Sequence, residues 1–139
     1  MYKILNFYTK EEVSTDSFVF AGENEPWEIQ MNIDEISKKI NKDYFTQASP
    51  CLSKYIPFMP IKDPSSFVSL RESATPLLKS KIIGKELGIN LYFKVEGKNP
   101  TGSFKDRGSA VDITVAKELG AKGIVLASTG NMAASCACY

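Results

Sequence analysis

Leu91-Tyr-Phe-Lys-Val-Glu-Gly-Lys-Asn-Pro-Thr-Gly-Ser-Phe-Lys-Asp-Arg-Gly108 is the stretch on which the fold turns. Its first third, Leu91–Glu96, alternates like a strand, and Gly97–Pro100 is a turn. Ser103 then stands as an N-cap with Asp106 three residues on, a capping box that opens a helix running from about Phe104 to Leu119. Phe104, Val111, Val115 and Leu119 form its apolar stripe, and Gly108 permits a close approach. Gly120 ends the helix, and Gly123–Ala127 reads as a buried strand with a continuous apolar run. Ser128–Asn131 is the next turn, and Met132–Tyr139 opens a second helix of small residues. Strand, helix, strand, helix is the opening of a parallel α/β sheet.

Upstream the text is of another kind. Lys3–Tyr8 and Trp27–Met31 read as short strands, with Phe18–Ala21 a weaker third. Asn32 and Glu35 frame a helix with Ile33, Ile36 and Ile40 on one face and Lys38 and Lys39 at its end. Residues 41–64 carry four prolines together with Tyr44, Phe45, Tyr55 and Phe58, which is too aromatic for a free linker. They read as an arm packed on something. Lys79–Leu87 reads as a short helix stopped by Gly88. Two units are therefore expected: an irregular α+β module with its arm over 1–64, and the beginning of a parallel-sheet domain over 65–139. Two parallel strands cannot stand alone, and the text stops inside a helix, so a continuing architecture is expected.

Composition excludes several function classes. The 139 residues are 43% hydrophobic and 24% charged, the balance of a globular protein. Seventeen basic against sixteen acidic residues give a net charge of +1, without the basic footprint of a nucleic-acid binder or a polybasic membrane patch. No apolar run approaches a bilayer span, and no cleavable leader opens the text, so a cytoplasmic location is expected. The absence of histidine excludes Ser-His-Asp and Cys-His catalysis within this chain and any His-ligated metal. Cys51, Cys136 and Cys138 are too few for a structural zinc site or a disulfide framework.

Ligands of open parallel sheets gather where strands turn into helices. Both such turns here are unusual. Lys105 falls in the first turn of its helix, where the dipole disfavours a cation; it either faces solvent or has the lowered pKa of an amine that attacks carbonyls. Ser128-Thr-Gly-Asn131 is either a plain N-cap or an anion-receptive turn. A nucleotide phosphate loop is rejected: Gly97 and Gly102 have its spacing, but Ser103 stands where lysine is required.

Asn99-Pro-Thr-Gly-Ser-Phe-Lys-Asp-Arg-Gly108 closely resembles the cofactor-lysine segment of the threonine synthases, pyridoxal-phosphate enzymes of fold type II, the tryptophan-synthase-β-like fold. Ala127-Ser-Thr-Gly-Asn-Met-Ala-Ala-Ser135 resembles the asparagine loop of that family, with Asn131 twenty-six residues after Lys105. Ser69-Leu-Arg-Glu-Ser-Ala-Thr-Pro-Leu77 is similar to the family's entry into the catalytic domain, and Leu52–Ile61 to its lead-in.

The resemblance implies that Lys105 bonds pyridoxal 5'-phosphate and moves protons once displaced by substrate. Asn131 would hydrogen-bond the cofactor's phenolic oxygen, and Ser128 and Thr129 would hold the substrate carboxylate. Phe104 would pack the lysine helix on the sheet, Asp106 and Arg107 would serve as a cap and a surface or bridging ion pair, and Cys136 and Cys138 would pack. The implied reaction takes O-phosphohomoserine and water to threonine and phosphate, and no metal is implied.

The family's cofactor-phosphate loop and its pyridine-nitrogen partner come later than Tyr139. Two other readings therefore stand beside this one. One is a sibling enzyme, an amino-acid dehydratase or a sulfur-transferring synthase. The other is a truncated, catalytically silent chain that acts through interactions, with self-association through an unfinished sheet.

Overall fold

The computed structural model describes residues 2–18 and 26–139. The chain opens on an antiparallel sheet of three strands, β1 (Tyr2–Asn6), β2 (Glu12–Val13) and β3 (Trp27–Met31), with β1 in the centre. Ile4 faces Val13 on one side and Ile29 on the other. β1 stops two residues earlier than its hydrophobic pattern suggests. The cause is Asn6, whose buried side-chain oxygen accepts the N–H groups of Tyr8 and Thr9 and turns the chain out of the ladder. The third strand expected at Phe18–Ala21 falls, from residue 19 on, outside the described residues.

Helix α1 (Ile33–Ser37) is capped as its sequence requires: Asn32 Oδ1 accepts the Glu35 N–H at 3.1 Å. Of its apolar face, Ile36 is fully buried and Ile40 half-buried, while Ile33 is exposed. A second short helix, α2 (Lys42–Gln47), starts where only an arm was expected, with Asn41 as its cap. The arm continues as a 3-10 turn over Leu52–Phe58. Phe45 gathers its aromatics, with Tyr44, Tyr55 and Phe58 rings centred 5.3, 5.9 and 6.1 Å away. The arm is therefore packed, its aromatics on one another and Ile56, Met59 and Ile61 beside Tyr2, Met31 and Ile36.

The far end of the arm is tied to the second half of the chain. Glu118 accepts the backbone N–H groups of Lys62 and Asp63 and the Ser66 hydroxyl. Burial alone would raise the Glu118 carboxyl, but those hydrogen bonds hold it below the ordinary carboxylate range.

In the second half, β4 (Leu77–Lys79) and β5 (Tyr92–Lys94) pair antiparallel, Leu78 opposite Phe93. The helix expected at Lys79–Leu87 is correspondingly shorter, α3 (Ile83–Glu86), because Leu77–Lys79 is committed to the ladder. Helices α4 (Asp106–Glu118) and α5 (Asn131–Cys138) come next. Gly88 (φ +66°) and Gly120 (φ +80°) stop α3 and α4. Each stop is a Schellman motif: Ile89 N–H bonds the Gly84 carbonyl, and Ala121 N–H bonds the Ala116 carbonyl.

One expectation is not met among the described residues, and another needs correction. No parallel pair occurs among the described residues, and Ile124–Ala127 has no ladder partner there; Val125 is wholly exposed. A parallel strand exists only through neighbours on both sides, and none adjoins it. Nor is the buried face of α4 its apolar stripe. Asp106, Ser109, Ala110 and Thr114 are buried, Val111, Val115 and Leu119 are half-buried, and Phe104 is 54% exposed. Small and polar side chains of this face, Asp106 and Ser109, are the ones that meet α5, at Ser135 and Cys136.

Candidate active site

The turn before α4 is built by its own sequence. Pro100 presets the backbone, and Gly102 N–H closes the turn onto the Asn99 carbonyl at 2.8 Å, with Gly102 at φ +80°. Buried Asn99 pins this turn to the entry segment: its Oδ1 accepts the Ser73 N–H at 2.9 Å, and its amide donates to the Glu96 carbonyl and carboxylate. Arg107 closes the same knot. Its guanidinium grips Glu96 at 2.7–3.1 Å and donates to Ser73 Oγ at 2.7 Å. Burial works to raise the Glu96 carboxyl, but Arg107 and Asn99 together lower it. A surface or domain-bridging ion pair is expected of Arg107; the pair that forms, with Glu96, is half-buried and lies within the second half of the chain.

Asp106 is fully buried but closes no capping box: the N-cap of α4 is Lys105 rather than Ser103, and no side-chain cap bond forms. One carboxylate oxygen accepts the hydroxyls of Thr101 and Ser135, the latter at 2.7 Å, and the other accepts the Thr101 N–H at 2.8 Å. Burial pushes its pKa up; the bonds from Thr101 and Ser135 outweigh that and hold it below the usual value. Further along the pair, Ser109 Oγ meets Cys136 Sγ at 3.4 Å, so Cys136 does pack. Ile113 and Ala116 share a hollow with Cys136 and Tyr139. The contacts advance together along both helices, so α4 and α5 run in the same sense with their N-termini at one end.

That arrangement fixes where the expected site residues stand. Lys105 is the N-cap of α4, half-buried, its ammonium 4.4 Å from the centre of the Phe104 ring. Phe104 thus sits beside the lysine's charge and does not pack the helix on a sheet. No carboxylate pairs with Lys105 among the described residues. Asn131 is the first residue of α5, exposed, and one turn from Ser135 on the same face. The Asp106–Ser135 bond therefore brings the Lys105 and Asn131 ends of the two helices together. Ser128 is half-buried and accepts the Gly130 N–H at 3.4 Å, while Thr129 is exposed. Neither caps α5; its N-cap is Gly130, which offers no side chain to the first-turn N–H groups. An unpaired amine and an uncapped helix start fit a ligand carrying a carbonyl and an anionic group.

Glu72 is a residue that sequence reasoning does not single out. It is fully buried, accepts from Ser69 Oγ, Leu70 N–H and Tyr139 Oη, and its carbonyl takes the Leu52 N–H. Arg71 and Ser73, on either side, hold φ of 66° and 75°, which non-glycine residues rarely adopt. Burial and the facing Glu72 carboxylate push the Tyr139 phenol far above its ordinary range. The run Arg-Glu-Ser is visible as a motif, but nothing local marks its glutamate as buried.

Asp106 and Ser135 thus bring the Lys105 start of one helix and the Asn131 start of the next to the same end of the pair. Residues 68–139 match the model of the pyridoxal-phosphate dependent enzymes, and the chain belongs to that family. The cofactor is pyridoxal phosphate, and membership implies fold type II. The similar curated proteins are narrower in kind. A threonine synthase of Methanocaldococcus jannaschii is 46% identical over 113 residues, covering 81% of this chain and 28% of that protein. One from Methanosarcina acetivorans is 36% identical over 141 residues, 100% of this chain and 34% of its own. One from a Bacillus is 49% identical over 88 residues, 63% and 25% respectively. The chain thus spans about a quarter to a third of the curated relatives it matches. Among the described residues there is no helix long and apolar enough to cross a membrane.

Proposed function

We propose that this chain forms the lysine-bearing part of a threonine synthase-like lyase that takes O-phosphohomoserine and water to threonine and phosphate. The observation that carries the reading is the junction of the Lys105 turn with the Asn131 helix start through Asp106 and Ser135. The threonine synthase relatives supply the substrate class. Residues 65–139 would begin the cofactor domain and 1–64 would precede it as a module with its packing arm. Ile124–Ala127 would then serve as a strand of the parallel sheet, a reading supported by the common direction of α4 and α5 on either side of it.

When bound, the cofactor supplies an electron sink for a carbanion beside the substrate's amino group. The chain's own residues do the rest. Lys105 Nζ, which lies beside the Phe104 ring, would hold the cofactor. Its amine would also move protons at the substrate carbons, a role no histidine of this chain can take. Asn131, one turn before Ser135 on the same face of α5, would donate to the cofactor's phenolic oxygen. Ser128, Thr129 and the uncapped first turn of α5 receive the substrate carboxylate. The partner is a small amino-acid phosphate, without nucleic acid or membrane, in a cytoplasmic setting.

The test is Lys105→Ala in the full-length enzyme. Turnover falls to background, and borohydride no longer fixes a cofactor adduct in the peptide carrying residue 105. Retained turnover, or an adduct elsewhere, would mean that another amine holds the cofactor. A second reading, a silent chain acting through association, is favoured by the apolar surface at Leu77, Leu78 and Val125. It predicts full-length cellular protein of only 15.4 kDa that holds no cofactor.

A further inference from the structure

Asp106 is an expensive way to join two helices. It is wholly enclosed, and no lysine or arginine lies within ion-pairing distance of it among the described residues. A buried carboxylate must be met by hydrogen bonds in place of water, a demand that an apolar pair of matching shape would not make. What an apolar pair could not do is fix direction. The two carboxylate oxygens receive three donors from two different turns: the Thr101 hydroxyl and N–H from the loop that leads to Lys105, and the Ser135 hydroxyl from the helix that begins at Asn131.

We infer that Asp106 is a positioning residue, which sets the Lys105 amine against the Asn131 helix start without touching substrate itself. The inference rests on the reading proposed above. An amide in its place cannot satisfy the same donors. With its oxygen toward the hydroxyls, the NH2 group faces the Thr101 N–H. With the amide reversed, both hydroxyl protons lose their acceptor. Either way the lysine loop and α5 shift relative to each other, and sub-ångström shifts of that kind are felt in the chemical step before they are felt in binding.

The experiment uses the full-length, cofactor-loaded enzyme with Asp106→Asn, and Thr114→Val as comparison. Thr114 is equally buried on the same helix, but its hydroxyl serves Ala110 and Val68 and neither turn. The expected result for Asp106→Asn is a kcat lower by about 10–100-fold with KM nearly unchanged. A displaced absorbance band of the lysine-bound cofactor and slower borohydride trapping accompany it. Thr114→Val lowers the melting temperature but leaves band, trapping rate and kcat alone.

A wild-type band and kcat in Asp106→Asn would overturn the inference, as would a kcat loss that Thr114→Val reproduces at equal loss of Tm. If Asp106→Asn does not fold, Ser135→Ala removes one of the three donors and is judged by the same readouts. No trappable cofactor at Lys105 in the unaltered enzyme would instead defeat the underlying reading, whatever Asp106→Asn does.

Discussion

The two halves of this chain bury opposite kinds of residue. Up to residue 64 the buried set is Ile36, Cys51, Leu52 and Ile61, with Asn6 as the polar exception. Beyond it, the buried set is Glu72, Ser73, Thr75, Asn99, Ser103, Asp106, Ser109, Thr114 and Ser135, with Gly84 and Ala110 its members without a polar side chain among the described residues. The large apolar side chains of that half, among them Leu77, Leu78, Ile82, Tyr92, Phe93 and Val125, lie outside. The first half is held by the burial of apolar area. The second is a framework of directed bonds that carries its apolar surface outward, toward whatever covers it. A region that must place an amine and an asparagine accurately needs bonds with direction; one that only supports it can rely on packing.

Association would sharpen the contrast most. The isolated chain is expected to self-associate through its second half, with light scattering giving a mass well above 15.4 kDa. Leu78→Lys with Phe93→Glu, opposite each other on β4 and β5, should return it toward monomer. A monodisperse monomer in the unaltered chain would break the comparison.

Truncations in the two halves should then differ in kind. Ile36→Ala removes buried apolar volume and is expected to cost about 3 kcal/mol in urea unfolding. Arg107→Lys keeps the charge but loses the fork that grips Glu96 and Ser73, costing about 2 kcal/mol. Salt distinguishes the two: it should weaken the second contribution and leave the first untouched.

Acid is a gentler probe. Asp106, Glu96 and Glu118 hold their protons less tightly in the folded chain than in the unfolded one. Their stabilisation is complete above the ordinary carboxylate range near about 4 and drains away as pH falls below it. The melting temperature is expected to be flat from neutral pH down to about 5 and to decline below about 4. A melting temperature that rises on acidification would contradict the assignment.

Smallest is Gly88→Ala, about 1 kcal/mol, because φ of +66° is costly for any side chain although space is open there.

Legibility in the sequence divides along the same line between local and distant causes. Gly88 and Gly120 announce their helix stops because a Schellman motif is closed within a few residues. Asn32 announces α1 for the same reason. Asn41, followed by Asp43, carries a similar signal for α2, but the prolines of the arm obscure it. Lys105 and Asn131 are legible because motif and turn coincide, and both stand at helix starts as expected.

The seam between α4 and α5 is not legible. Hydrophobic periodicity selects Val111, Val115 and Leu119 as the inner face, whereas Asp106 finds Ser135 twenty-nine positions away. Glu72 finds Tyr139 sixty-seven positions away. A buried polar face is written in the same letters as a solvated one, and only the partner tells them apart. The ladder of β4 with β5 is hidden likewise, since Lys79 fits the start of the short helix expected there.

The seam also has a thermal character of its own. Exposing apolar surface raises the heat capacity of a protein and exposing polar surface lowers it, which is why hydrophobic attachments weaken in the cold. A contact made of Asp106, Ser109, Ser135 and Thr101 contributes little to that curvature. The junction that carries the lysine should therefore hold its geometry on chilling, while the Ile36, Leu52 and Ile61 packing of the other half is the first to slacken.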